Sequence, residues 1–176
     1  MQNAVLNAIL SRRSTRRYTR EPVSREAIET ILQAGINAPS AMNKQDWKIV
    51  AVTDRDFIGK LDAAWEALGS NGKPSSETRF YDAPTVIFVF GQSDINAGMA
   101  IENMCLAAES LGLGTVIIGS VNVLLNEPVG APWKKALGCP EEYRHTCCIS
   151  LGHKAEFPNA KPRDASKSII MDKITS

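Results

Sequence analysis

The sequence lacks the features that mark several specialised classes of protein. Its 176 residues carry 20 lysines and arginines against 19 aspartates and glutamates, and the net charge of +1 provides no overall field to attract nucleic acid or an anionic membrane. No run of about 18 apolar residues predicts a membrane-spanning helix. The basic residues near the N-terminus follow its short apolar stretch, which is the wrong order for a secretory signal. We therefore expect a cytoplasmic protein with no membrane and no nucleic-acid partner.

Cysteine and histidine are too few and too poorly spaced to predict a metal site. The four cysteines include no C-x-x-C pair and are typical of reduced core thiols rather than of a disulfide framework or a zinc site. His145 and His153 have no i, i+4 partner and no carboxylate cluster beside them. We expect no bound metal.

The glycines of "GLGTVIIG" (112–119) do not form a dinucleotide-binding fingerprint. Ile117 stands where the third glycine of G-x-G-x-x-G is required, and the glycines precede a predicted strand where the fingerprint follows one. No elbow motif supports a catalytic serine. The sequence thus leaves a Ser-His-Asp triad open but assigns no catalytic side chain.

The hydrophobic pattern predicts one α+β domain over residues 1–176. Helical spacing with cap residues at Ser24 and Asp54 predicts two helices that follow those residues, and a short amphipathic helix precedes them. Apolar, β-branched runs predict the strands: 47–53, 85–91, 115–119 and 145–152. Residues 70–79 are predicted to be a flexible segment, and the tail from Lys154 is predicted to be extended.

Residues 96–112 are predicted to form a helix that is apolar on almost every side. Such a helix has to be buried all round, which is difficult within one chain of this length. A second copy of the chain would cover it, so the pattern favours a homodimer, with Met99, Met104 and Leu106 as dimer-core residues.

Five arginines are concentrated in "SRRSTRRYTR" (11–20) although the chain is almost neutral. Guanidinium groups bind phosphate through a planar fork of donors. The segment therefore either binds an anion or forms a solvated surface, and the surface interpretation is favoured for Arg17 and Arg20.

Four stretches together resemble the nitroreductase family of FMN-dependent oxidoreductases. They are "RRSTR" (12–16), "APSAMNKQDW" (38–47), "ENMCLAAESLGLGTVIIG" (102–119) and "LGHKAEFPNAKPR" (151–163). The resemblance implies a central, mostly antiparallel β-sheet flanked by helices, in a dimer with a long buried central helix. It also implies a ping-pong enzyme that takes hydride from NADH or NADPH onto FMN and then reduces a small electron-poor acceptor such as a nitroaromatic or a quinone.

The resemblance also implies which residues bind the cofactor. Arg12 and Ser14 would contact the phosphate and ribityl end with Arg13 close by, and Arg16 would lie near N1 and O2 of the ring. The tail residues Lys161 and Arg163 would approach the same phosphate. The residues expected on the ring and ribityl chain come from two turns. The first turn contains Pro39, Ser40, Asn43 and Gln45 and would reach the flavin of the other subunit. The second contains Ile118 and Gly119.

The chain departs from the family pattern at two places. Asp46 stands where the family usually has proline, and His153-Lys154 replaces an aromatic residue and a proline. These departures leave open a flavin-binding carrier or sensor without turnover. A module that binds nucleic acid through the arginine-rich loop is a further, disfavoured alternative.

Overall fold

A four-stranded antiparallel sheet lies at the centre of the fold. The computed structural model describes residues 3–69 and 78–171. The strands are β1 (Trp47–Val52), β2 (Thr85–Gly91), β3 (Leu113–Ile118) and β4 (Arg144–His153), in the order β1-β2-β4-β3. Every neighbouring pair is antiparallel. The four predicted strands are confirmed, with ends that differ by one or two residues.

The sheet is covered by apolar side chains on both faces. β2 is buried along its whole length, and its side chains alternate between the two faces as the pleat requires. Ile87 and Val89 pack with residues of the second and fourth helices, whereas Val86, Phe88 and Phe90 pack with residues of the third and fifth helices. This double burial explains why β2 is a continuous apolar run without polar alternation.

Six α-helices within the described residues flank the sheet, which confirms the α+β fold class. They are α1 (Ala4–Ser11), α2 (Arg25–Ile36), α3 (Arg55–Gly69), α4 (Asp94–Ser110), α5 (Asn122–Leu125) and α6 (Ala131–Ala136). Short 3₁₀ turns lie at Ala41–Asn43, Pro128–Gly130 and Ala165–Lys167. The two predicted caps are confirmed, because the Ser24 hydroxyl accepts from the Ala27 N–H and the Asp54 carboxylate accepts from the Phe57 N–H.

Helix α4 begins two residues earlier than the apolar pattern predicts. The hydroxyl of Ser93 accepts a hydrogen bond from the Asn96 N–H at 3.3 Å, so Ser93 is the N-cap and Asp94 the first helical residue. The helix ends at Ser110, and Gly112 follows with a φ of +77°. Asn96 therefore lies within the first helical turn, which places its side chain beside another loop.

The chain itself covers α4 only in part. Seven residues of α4 are buried, but Ile95 and Met99 remain 71% and 42% exposed. The assignment of Met104 to a dimer core is wrong, because this side chain is fully buried in the chain's own core and touches Gly35. The apolar face of α4 that remains open is therefore narrower than the sequence predicts.

Two other predictions concern the chain outside these elements. Residues 70–77 of the predicted flexible segment lie outside the described residues, so that prediction stays untested there. The tail after Lys154 has no regular structure in the described part apart from the short turn at Ala165–Lys167. No helix among the described residues has both the length and the apolar character needed to cross a membrane.

Candidate functional site

The arginine-rich segment lies along the free edge of β3. Ser14 forms an isolated parallel bridge with Thr115, and the Thr15 N–H donates to the Thr115 carbonyl at 2.9 Å. The segment is therefore extended here, and successive side chains point to opposite sides. Thr15 turns inward and is 1% exposed, while Arg16 is exposed.

Thr15 fits against a glycine of β3. A Cβ placed on Gly114 would lie 2.8 Å from the Cβ of Thr15, closer than two carbon atoms pack. Gly114 thus lets the arginine segment approach the strand. The glycines at 112 and 114 are not a nucleotide fingerprint, and one of them serves this close approach.

The three predicted site arginines of the N-terminal segment differ in their contacts. Arg13 donates at 2.8 Å to the carbonyls of Leu10 and Arg12, so it closes the end of α1. Arg12 is half-buried, and its guanidinium makes no hydrogen bond or ion pair with a described residue. The guanidinium of Arg16 lies 6.0 Å from the ring centroid of Tyr81 and borders a cleft of about 360 Å³. Of these three, Arg12 is the one whose guanidinium has no partner among the described residues.

Tyr18 fastens the segment to the sheet. Its hydroxyl lies within hydrogen-bond distance of two carbonyls, those of Thr15 at 2.5 Å and Ser150 at 3.2 Å. Burial raises the pKa of Tyr18 far above its usual value, so the group remains a neutral donor. The Arg17 carbonyl also accepts from the Ala155 N–H at 2.9 Å, which attaches the chain after β4 to the same segment.

A buried ion pair closes this end of the site. The Lys154 ammonium lies 2.7 Å from the Glu109 carboxylate, which also accepts from the Ser11 hydroxyl at 2.9 Å. The negative charge nearest the end of α1 is therefore already neutralised and does not need Arg12. Sequence reasoning missed Glu109, because its partners lie 98 and 45 positions away along the chain.

The second predicted segment, residues 39–45, lies at the other end of α4. The Ala41 N–H donates to the Asn96 side chain at 3.3 Å, and the Gln45 N–H donates to the Ser40 hydroxyl at 3.0 Å. Pro39, Asn43 and Gln45 are exposed and Ser40 is half-buried. These residues therefore present their polar groups to solvent.

One copy of the chain does not bring the two segments together. Ser11, beside the arginines, contacts Glu109 near the end of α4, whereas Ala41 contacts Asn96 in its first turn. Thirteen residues of helix separate these contacts, which corresponds to about 20 Å at 1.5 Å per residue. Two distant polar surfaces result, and a common ligand would have to contact both through different copies of the chain.

The remaining predicted residues are placed as follows. Ile118 is the last residue of β3 and is buried, whereas its neighbour Ile117 is 42% exposed. Gly119 lies in the turn directly after β3, and a Cβ there would meet no atom within 4 Å. Lys161 and Arg163 are exposed and form no hydrogen bond or ion pair with the described part of the chain. Their approach to the phosphate expected at Arg12 stays a prediction.

Comparisons with known proteins agree on one family. The model of the nitroreductase family matches residues 9–153. The curated NADPH-flavin oxidoreductase of Vibrio harveyi is 32% identical, and the match covers 92% of this chain and 70% of that protein.

Solved structures give the same result. A nitroreductase with bound FMN from Bacteroides fragilis has a TM-score of 0.90 at 28% identity, covering 97% of this chain and all of the other. A nitroreductase with bound FMN from Desulfitobacterium hafniense has a TM-score of 0.87 at 26% identity, covering 98% of this chain and all of the other. With a sheet, helices and arginine segment arranged as described, the chain belongs to the nitroreductase family.

Proposed function

We propose that the chain is an FMN-dependent oxidoreductase that takes hydride from NADH or NADPH and reduces a small electron-poor acceptor. The observation that carries the proposal is that Arg12 is half-buried, two positions before Ser14, while its guanidinium makes no hydrogen bond or ion pair with a described residue. A desolvated cation without a counter-charge is costly unless a ligand provides one. The phosphate of FMN is such a ligand, and structural relatives of this chain contain FMN.

The residues present fit that cofactor. Arg12 offers the guanidinium fork that matches a phosphate, and the Ser14 side chain can add a hydroxyl donor. Glu109 does not repel the phosphate, since Lys154 neutralises it. Beyond β3, the exposed Ile117 side chain and the open space at Gly119 leave room for a flat apolar ring.

The chemistry itself belongs to the cofactor. Bound FMN would supply the hydride chemistry, which would take reducing equivalents from NADH or NADPH and deliver them to a nitroaromatic or a quinone in a ping-pong sequence. The chain binds and orients the cofactor, and Arg16 provides a fixed positive charge where negative charge develops on the ring. Such a reaction does not require one side chain of the protein to act as a nucleophile and another as its base.

The site is completed in a homodimer. The segment 39–45 carries the polar groups expected on the flavin, but it lies about 20 Å from the arginines of its own chain, as judged from the rise along α4. A second copy placed against the open face of α4, at Ile95 and Met99, would bury these exposed apolar side chains. It would also supply its own segment 39–45 to the first copy's arginines.

The visible spectrum of the purified protein tests the cofactor. We expect flavin absorption or, for protein purified without cofactor, saturable binding of added FMN that raises the melting temperature. A colourless protein that FMN neither binds nor stabilises would contradict the proposal.

Stopped-flow mixing then distinguishes an enzyme from a flavin carrier. We expect NADH or NADPH to bleach the flavin rapidly, and a quinone to restore its colour. A bound flavin that neither nicotinamide reduces would indicate the carrier.

Sedimentation velocity tests the dimer. Met99→Glu places a charge on the open face of α4 and is expected to produce monomers with weakened FMN binding. Lys60→Glu, at an exposed position on α3, is the matched control and should leave the dimer unchanged. A wild-type protein that sediments as a monomer with FMN bound would overturn the dimeric site.

A further inference from the structure

The side chain of Asn96 bridges both ends of the segment 40–46. Its Nδ2 donates to the Asp46 carboxylate at 2.7 Å, and its Oδ1 accepts from the Ala41 N–H at 3.3 Å. Asn96 is 4% exposed and Asp46 is 9% exposed, so water competes little for these bonds. One amide in the first turn of α4 thus binds both ends of a loop, at residues 55 and 50 positions earlier in the sequence.

The loop that Asn96 closes has an unfavourable backbone. Met42, Asn43 and Gln45 have φ values of +55°, +53° and +49°, in the left-handed region that residues with a Cβ rarely adopt. Asparagine tolerates this region, but methionine and glutamine have no local reason to occupy it. Such a conformation persists only where the surrounding contacts determine it.

Asp46 has two properties that the loop requires. Its carbonyl accepts from the Gln92 N–H at 3.2 Å, so its main chain is tied to the turn before α4 while its side chain is tied to the first turn of α4. A proline at this position would drive the preceding residue out of the helical regions towards an extended conformation. Gln45 adopts a φ of +49°, so an aspartate at 46 both permits and anchors this backbone.

The polar groups of the loop depend on this backbone for their direction. The Gln45 amide donates to the Asn43 side chain at 3.2 Å, so the two exposed side chains form one unit. The Ser40 hydroxyl is occupied by the Gln45 N–H. A change in the backbone between Ala41 and Asp46 would therefore redirect the Asn43 and Gln45 side chains together.

We propose that Asp46 and Asn96 are a positioning pair, which sets the direction in which Asn43 and Gln45 meet the flavin bound by the other subunit. This inference rests on the proposed function. It assigns a role to the residue at which the chain departs from its family's usual proline. Neither member of the pair needs to touch the cofactor.

Exchange of the two side chains tests the pair. Asn96→Asp places two carboxylates against each other and is expected to weaken FMN binding by about tenfold and to change the visible circular dichroism of the bound flavin. The double variant Asp46→Asn/Asn96→Asp restores one donor and one acceptor, and we expect it to recover both properties. Asp56→Asn, an exposed carboxylate on α3, is the matched control and should behave as wild type.

The outcomes separate this inference from the proposed function. Wild-type protein that does not bind FMN would refute both. Wild-type protein that binds FMN, together with an Asn96→Asp variant of unchanged affinity and dichroism, would overturn the pair alone. A double variant as impaired as Asn96→Asp would also overturn it.

If Asn96→Asp shows no cooperative unfolding transition, two variants of the other member decide the matter. Asp46→Asn keeps an acceptor oxygen and is expected to retain the wild-type dichroism. Asp46→Leu removes the acceptor at similar size and is expected to lose it. Equal spectra for the two variants would contradict the pair.

Discussion

The ammonium of Lys154 lies 2.7 Å from the carboxylate of Glu109, and the two side chains are only 17% and 11% exposed. The pair joins the residue after β4 to the end of α4, next to the α1 residue that precedes Arg12. Removal of one member leaves a mostly buried charge without its partner. The lysine at this departure from the family pattern is therefore a structural residue of the arginine-bearing end of the fold.

Glu109→Gln is expected to lower the free energy of unfolding by about 3 kcal/mol, because the Lys154 charge then lacks a partner. The double variant Glu109→Gln/Lys154→Met should lose less unfolding free energy than the losses of the two single variants added together. Urea denaturation measures each value. Glu29→Gln removes the exposed pair of Glu29 with Arg25 and should have almost no effect. Equal losses for the Glu109 and Glu29 variants would contradict this account.

Gly114→Ala and Gly59→Ala are expected to act in opposite directions. At Gly114 the added methyl group meets the stiff side chain of Thr15 at 2.8 Å, so the arginine segment must move. We expect a loss of about 1–3 kcal/mol in the free energy of unfolding, together with weaker FMN binding. At Gly59, within α3, the methyl group meets no atom within 4 Å. That substitution should stabilise the helix by about 0.5–1 kcal/mol. Thermal unfolding and FMN titration of both variants test the contrast, and a neutral Gly114→Ala would refute it.

His145 is expected to make the fold sensitive to acid. The residue is 1% exposed, its Nδ1 lies 2.5 Å from the Asn122 side-chain oxygen, and its Nε2 has no hydrogen-bond partner in the described part of the chain. Burial, with a further contribution from the nearby Lys134 charge, lowers the pKa of His145 to about 3. The unfolded chain binds this proton below a pH of about 6.5 and the folded chain does not.

The contribution of neutral His145 to the free energy of unfolding is therefore complete above a pH of about 6.5. It is lost as the pH falls towards the folded pKa, by at most about 1.4 kcal/mol per pH unit. Urea denaturation at pH 7 and pH 5 measures how steeply the free energy of unfolding changes with pH in the wild type and in His145→Phe. The free energy of unfolding of the variant should fall less between pH 7 and pH 5 than that of the wild type. Identical slopes in the two proteins would show that His145 has no such effect.

Arg12→Ala is expected to weaken FMN binding by about 1.5–3 kcal/mol, the usual contribution of a hydrogen bond to a charged group. Arg12→Lys should fall between the alanine variant and wild type, because an ammonium keeps the charge but lacks the fork. Isothermal titration of the protein freed of its cofactor provides the affinities. Arg20→Ala, at an exposed arginine of the same segment, is the control and should bind FMN normally. Unchanged affinity in Arg12→Ala would remove the phosphate role.

The sequence predicted the elements well because their signals are local. Ser24 and Asp54 cap helices by bonds to residues two or three positions ahead, and β2 is recognisable as a run of β-branched and aromatic residues that suits double burial. The start of α4 was misplaced, since the apolar pattern does not show the cap at Ser93. The apolar run 115–119 does not reveal that Ile117 is exposed, because the pattern of a strand does not show which edge residues a neighbour covers.

By itself the sequence determined the α+β class, the strands and the concentration of arginines near the N-terminus, because these depend on composition and on neighbours along the chain. Only the tertiary structure decided how those arginines differ: Arg13 closes α1, Arg16 borders a cleft and Arg12 remains without a partner among the described residues. It alone also decided the contacts of Lys154 with Glu109 and of Asp46 with Asn96. These contacts join residues that are 45 and 50 positions apart. The physical reason is that a charge or an amide finds its partner only once burial has brought distant segments together and removed the competing water.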